Sequence, residues 1–200
     1  LVASSITDAV EAFNKSDVTL AESVIARDNQ IDDAVVQLDE HAITILARQS
    51  PVAKDLRIVV SALRISSSLE RMGDMAEHLA QLARYRFPEK VVPKTIRPTF
   101  KEMGALDIGM ANMLVDLLRN GDTDLAQKIR DEDDKVDALH LSVFETVLSD
   151  TWSQETETTV DATLASRYME RFADHAVSIA KKMVYLATGE WNPQTGAIQL

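Results

Sequence analysis

Apolar residues step by sevens through the first half of this chain. Val24, Ile31, Leu38 and Ile45 share one phase, and Val35 and Ala42 share its companion. That repeat describes helices packed on other helices. Acids interrupt it at core-facing positions. Asp28 stands in phase with Val35 and Ala42, and Asp32 follows four residues on. Glu70 shares the phase of Leu56 and Leu63, and Asp74 that of Val60. The second half does the same: Asp133 and Asp137 follow the stripe of Ile129, Val136 and Val143, and Glu170 and Asp174 lie in a matching late helix. A side chain on a core-facing stripe points at another helix. An unpaired carboxylate there is costly, so it calls for protons, hydrogen bonds or a cation. Four carboxylates on two facing helices favour a cation.

The rest of the chain reads as helix too. Five prolines and six glycines leave long uninterrupted segments, and strand-like alternation is absent. A first helix ends near Asn14, and Ser16 or Asp17 caps a second that runs to about Arg48. Ser50 before Pro51 is a start signal for a third helix, running to about Tyr85. Pro88, Pro93 and Pro98 crowd one short stretch, a linker over residues 88–98. A fourth helix stops at Asn120–Gly121. Asp122 caps a fifth ending near Asp150, and a sixth covers Thr159 to Thr188. The expected fold is all-α: two tandem three-helix bundles, residues 1–87 and 99–190, followed by a tail over 191–200.

The two halves are a duplication. At an offset of 105, Asp17, Leu20, Ala21, Val24, Asp28, Ile31 and Asp32 fall on Asp122, Leu125, Ala126, Ile129, Asp133, Val136 and Asp137. At an offset of 100, Glu70, Arg71, Asp74, Ala76 and Ala80 fall on Glu170, Arg171, Asp174, Ala176 and Ala180. Small residues beside the acids, Gly73 and Ala76 in one half and Ala173 and Ala176 in the other, let backbones approach closely enough for short carboxylates to meet.

Composition removes other readings. A net charge of −11, with no run of Lys and Arg among aromatics, argues against a nucleic-acid surface. No cysteine is present, which excludes thiolate metal sites and Cys nucleophiles and fits a reducing compartment. No apolar run is long enough to span a bilayer and no signal peptide opens the chain, so a cytoplasmic protein is expected.

The stretch from Ala26 to Ala80, most specifically SPVAKDLR followed by LERMGD, resembles the PhoU family of phosphate-signalling regulators. DEDDKVDALH and MERFADHAVSIAKKM resemble that family's second repeat. The resemblance implies two fused three-helix bundles, with the acidic couplets as metal-binding motifs. On this sequence the ligands would be Asp28, Asp32, Glu70 and Asp74 in one cluster, and Asp133, Asp137, Glu170 and Asp174 in the other. It also implies multinuclear iron or zinc, a homodimer, and a place at the inner face of the membrane between a Pst-type phosphate ABC transporter and a PhoR-type sensor kinase. The implied role is negative regulation of phosphate uptake and of the phosphate-starvation response. The opening helix is shortened relative to the family, and the tail after Trp191 has no counterpart in its pattern.

The chemistry suits that carry-over. Residues four apart share a helix face, and carboxylate oxygens suit Mg, Mn, Ca and oxidised Fe while also accepting Zn. The bland alternative is ordinary ion pairing with Arg27, Arg71, Arg130 or Arg171. His140, three after Asp137, and His78, four after Asp74, read as core-edge histidines with a ligand role as the alternative. Neither has a Ser or Cys partner at a recognisable spacing, and no P-loop or dinucleotide fingerprint occurs, so a non-enzymatic adaptor is expected. The competing class is a carboxylate-bridged di-iron oxidase or ferroxidase of the ferritin-like kind. It would need Glu-x-x-His pairs, of which Asp137-x-x-His140 is the only approximation.

Overall fold

The computed structural model describes residues 1–190, and the tail expected over 191–200 lies outside them. Six helices follow in order: α1 (Val2–Lys15), α2 (Val18–Gln49), α3 (Ala53–Arg86), α4 (Arg97–Asn120), α5 (Asp124–Val147) and α6 (Thr156–Thr188). No strand occurs among the described residues. The helices α1, α2 and α3 form one bundle and α4, α5 and α6 a second. The bundles join through α3 against α6 and α1 against α4.

Local chemistry sets the ends. Ser16 closes α1 in the left-handed region (φ 56°), and the Asp17 carboxylate accepts from the Leu20 N–H at 3.0 Å to cap α2. Gly121 (φ 68°) stops α4 as its position between two helices demands. Two expected caps move by a residue or more. Ser50 does not open α3; it closes α2 in the left-handed region (φ 45°), and α3 begins at Ala53. Pro51 disfavours a right-handed helical conformation for the residue before it, so Ser50 ends the helix behind rather than starting the one ahead. Thr123, not Asp122, is the N-cap residue of α5, but the Asp122 carboxylate still accepts from the Asp124 N–H at 3.1 Å. Helix α4 begins at Arg97 with Pro98 in its first turn. The preceding linker is a packed strap, with Val91, Val92 and Ile96 buried. Lys90 Nζ donates to the Asn14 carbonyl at 2.8 Å, and Ser16 Oγ to that of Glu89 at 2.9 Å.

The core runs continuously through both bundles. Ile6, Phe13, Val24, Met72 and Leu79 meet Phe100, Met110, Leu117, Ile129, Val136, Phe172 and Ile179. The rings of Phe13 and Phe100 lie 5.5 Å apart across the junction. Full burial of one such ring stabilises the fold by about 2 kcal/mol. At Gly104 the α1 and α4 backbones come close, for a Cβ there would sit 2.6 Å from Val10 Cγ1.

The first bundle is uneven in length. Helix α1 has 14 residues beside the 32 of α2 and 34 of α3. The far end of the α2–α3 hairpin therefore runs on without a third helix. Only Ala42 and Val59 are buried between residues 36 and 60, while Val36, Ile43, Val52 and Ile58 are exposed. The seven-residue stripe consequently fades: Leu38 and Ile45 are half-buried, and Leu56 and Val60 are exposed.

Candidate metal centre

The two expected sets of acids lie along neighbouring helices, α2 with α3 and α5 with α6. In the first bundle Gly73 lets the two backbones meet. A Cβ at that position would lie 2.9 Å from Ile31 Cδ1 and 3.0 Å from Asp28 Oδ1. The close approach sets Asp28 of α2 beside the acids of α3. Burial, followed by the charges of Glu77, Asp32, Asp74 and Glu70, pushes the Asp28 carboxyl up to about 6. Asp28 thus feels the other three expected residues of this cluster. Asp74 also holds an ion pair with Arg71 at 2.9 Å.

In the second cluster three of the four carboxyls are raised. Asp133 is pushed up to about 7 by burial and then by Asp137, Asp174 and Asp134, against a weaker opposite pull from Lys181. Asp137 is raised by burial and by Asp174. Glu170 is buried and is raised by burial and by Asp174. One Glu170 oxygen pairs with Arg167, while its Oε2, like Asp133 Oδ1, is buried without a hydrogen-bond partner. Buried carboxylate oxygens lacking donors are what a hard cation would satisfy. In chemistry, though not in convergence, these donors suit a metal. Among the described residues, no three Asp, Glu or His side chains converge tightly enough to clasp an ion.

The couplets sit on the rim of the core rather than within it. Asp32, Asp137 and Asp174 are exposed, Asp28, Glu70, Asp74 and Asp133 are half-buried, and Glu170 alone is buried. Four residues advance a helix by one turn and about 40° more, which carries the second acid of a couplet toward solvent. Ordinary ion pairing accounts for only part of the charge. Arg71 does pair with Asp74, but Arg27 binds Asp8 rather than Asp28.

Three neighbours escaped the sequence reading. Glu77 bears on Asp28 more strongly than any other charge, and its place three residues after Asp74 and seven after Glu70 was a readable signal. Asp107 of α4 is fully buried, with neither carboxylate oxygen hydrogen-bonded. Burial, with Asp133 nearby, raises it well above the usual carboxylate range. It stands between Phe100, Met103, Met110 and Leu114 on an otherwise apolar stripe, the same kind of signal as Asp28. His175, half-buried with an unpartnered Nε2, is held below its ordinary value by burial and by Arg171. The two histidines singled out earlier sit at core edges. The Nδ1 of His140 is 2.8 Å from Ser166 Oγ, and its ring meets Phe144 edge-on. The His78 ring packs at 5.0 Å from that of Tyr168.

Two three-helix repeats define the architecture, and known proteins share that fold. A PhoU domain matches residues 1–83 and again 100–183. The phosphate-specific transport system accessory protein PhoU homolog 2 of Mycobacterium tuberculosis is 38% identical over 181 residues, covering 90% of this chain and 85% of that protein. PhoU homolog 1 of Mycobacterium leprae is 37% identical, covering 92% and 82%. The crystal structure of PhoU from Pseudomonas aeruginosa superposes with a TM-score of 0.86 at 30% identity, over 94% of this chain and 91% of that one. The chain belongs to the PhoU family. No helix among the described residues is long and apolar enough to cross a membrane.

Proposed function

We propose that this protein is a phosphate-transport accessory and regulator. It restrains phosphate uptake and the phosphate-starvation response as a cytoplasmic, homodimeric adaptor between a Pst-type transporter and a PhoR-type kinase. The observation that carries this reading is membership of a family whose relatives are named for the phosphate-specific transport system, at 90% coverage of the chain. An adaptor suits a chain whose clustered polar groups are carboxylates on rigid helices, and the Ser166 hydroxyl that meets His140 is fully buried.

Asp28, Asp32, Glu70 and Asp74 would hold one metal centre, and Asp133, Asp137, Glu170 and Asp174 the other. A bound cation, iron or zinc by the family's pattern and Mn or Mg by donor hardness, would supply the positive charge that these mutually repelling carboxylates lack. The chain's own part is to hold α2 against α3 and α5 against α6 so that acids on both helices share one face. The ferritin-like alternative is weaker, because no Glu-x-x-His pair occurs in the sequence and Asp137 with His140 is the only approximation.

The test is genetic. Removing every copy of this gene from its host should raise phosphate-regulated expression in phosphate-replete medium, and unchanged expression would refute the adaptor role. Metal analysis of purified protein tests the sites separately. Replacing Glu70 and Asp74 by Ala should remove one site's metal and leave the other's, and equal metal content would sink the assignment.

A further inference from the structure

The α3–α6 junction is a ladder of facing polar residues. On α3 the row is Arg57, Arg64, Arg71 and His78, and on α6 it is Asp161, Tyr168, His175 and Lys182, each at seven-residue steps. The helices run antiparallel: His78 meets Tyr168, and the Arg57 guanidinium lies 5.6 Å from the Tyr185 ring centroid. At one end the ladder is closed. Arg86 of α3 is bound by Glu157 and by the buried Asp161 of α6.

The opposite end is its counterpart by duplication, with the charges changed. At the offset of 100, Arg57 stands where the other end has Glu157, and Ser61 where it has Asp161. Lys182 stands where it has Leu82, and Arg64 where it has Leu164. The acids have gone and cations have been added. The result is a cavity of about 340 Å³ whose wall has Ala53, Leu56 and Val60 beside Arg57, Ser61, Arg64, Lys182 and Tyr185, and no Asp or Glu among the described residues. That volume falls at the small end of small-ligand sites, roughly 300–1,000 Å³.

The cations here lack the partners that Arg86 has. None of the three makes an ion pair with a carboxylate of the described residues, and Arg57 Nε is buried without a hydrogen-bond partner. Lys182 Nζ donates to Ser178 Oγ at 2.6 Å, which fixes the ammonium near Arg64 instead of releasing it to solvent. Gly189 leaves room for the guanidinium, since a Cβ there would sit 2.4 Å from an Arg57 terminal nitrogen. Holding three like charges together with no carboxylate in the cavity wall is unfavourable unless an anion joins them.

We propose that this end of the α3–α6 junction is a binding site for a small multivalent oxyanion of the phosphate class. Arg57, Arg64 and Lys182 supply charge, and the Ser61 hydroxyl supplies a hydrogen bond. Arginine forks and an ammonium converging from two helices match a tetrahedral dianion better than a planar monocarboxylate. The cavity is large enough for a second phosphoryl group beside the first, so pyrophosphate binds more tightly than inorganic phosphate. The site is separate from both acidic clusters and does not depend on the metal reading.

Equilibrium dialysis of the full chain against inorganic phosphate, pyrophosphate and a nucleoside diphosphate tests this. Saturable binding of one anion per chain is expected, weakened about tenfold or more by Arg64→Gln and by Lys182→Gln, and unchanged by Asp74→Asn. A nucleoside diphosphate binding more tightly than pyrophosphate would identify the ligand as the phosphoryl end of a larger molecule, at this same site. Arg64 is exposed, so Arg64→Gln should melt as the parent does and its lost binding cannot be laid to unfolding. Absence of saturable binding would overturn the proposal. So would binding that survives both pocket substitutions and falls with Asp74→Asn, which would place the anion on the acidic clusters.

Discussion

Two glycines five residues apart on α4 should answer one substitution with opposite signs. Alanine in a helix interior gains about 1 kcal/mol over glycine, mainly by restricting the unfolded chain. At Gly109 a new Cβ meets nothing within 4 Å. Gly109→Ala should therefore keep that gain and raise the melting temperature by roughly 2–4 °C for a chain of this size. At Gly104 the same methyl would lie 2.6 Å from Val10 Cγ1 and 3.0 Å from Cγ2. Val10 is buried and β-branched, and one χ1 rotamer dominates for valine in a helix, so it cannot swing aside. Separating α1 from α4 costs about 1–3 kcal/mol as overpacking. Set against the helical gain, Gly104→Ala should be destabilising by up to roughly 2 kcal/mol. Urea unfolding of both variants measures this, with slopes unchanged if only stability has moved. Val10→Ala combined with Gly104→Ala should relieve the clash, giving a coupling of about 1 kcal/mol or more. If Gly104→Ala stabilised as much as Gly109→Ala, the close α1–α4 contact between the bundles would be wrong.

Chelator and pH should interact. Asp28 and Asp133, raised to about 6 and about 7, bind protons more tightly folded than unfolded. Chelated protein should therefore lose stability as pH rises from about 4 toward 7. EDTA should accordingly lower the melting temperature at neutral pH and do much less near pH 4, and Asp133→Asn should flatten the chelated profile. A chelator effect constant across that range would place the metal elsewhere. Arg86→Ala strips the buried Asp161 of its partner and should lower stability by about 3 kcal/mol, measured by denaturant unfolding; a change below about 1 kcal/mol would make the clasp a surface ornament. Asp107→Asn removes a buried carboxyl whose oxygens have no donors, and should stabilise chelated protein at neutral pH. A lowered melting temperature there would mean that Asp107 has partners in solution.

Much of the architecture could be read from spacing because helices this long advertise themselves. The seven-residue stripe, the Gly121 stop and the Asp17 cap are local, and local signals survive folding. The duplication was legible for the same reason, being a match of residues at fixed offsets. What sequence could not supply was depth. Asp28 and Asp32 look equivalent as a couplet, but the extra ~40° in a four-residue step turns Asp32 outward, so one is half-buried and the other exposed. Asp107 was missed because it has no counterpart among the couplets, though its apolar neighbours marked it. Ser50 was misread because Pro51 can either open a helix or end the one before it, and only the chain's path decides. The cation-lined cavity was invisible for a different reason. Its residues come from helices more than a hundred positions apart, and each Arg or Lys alone looks like solvated surface.

The uneven first bundle has a kinetic consequence. Beyond residue 36 the α2–α3 hairpin holds itself together with two helices and little buried apolar surface, so its tip should open far more often than the whole chain unfolds. Amide protons near Ile43 and Leu56 should exchange with solvent ahead of those near Met72 and Phe172. The tip is the part most readily reshaped by a visiting surface. Its opening can leave the acidic cluster at the hairpin's base intact, like a clothes-peg whose jaws part while the spring stays wound.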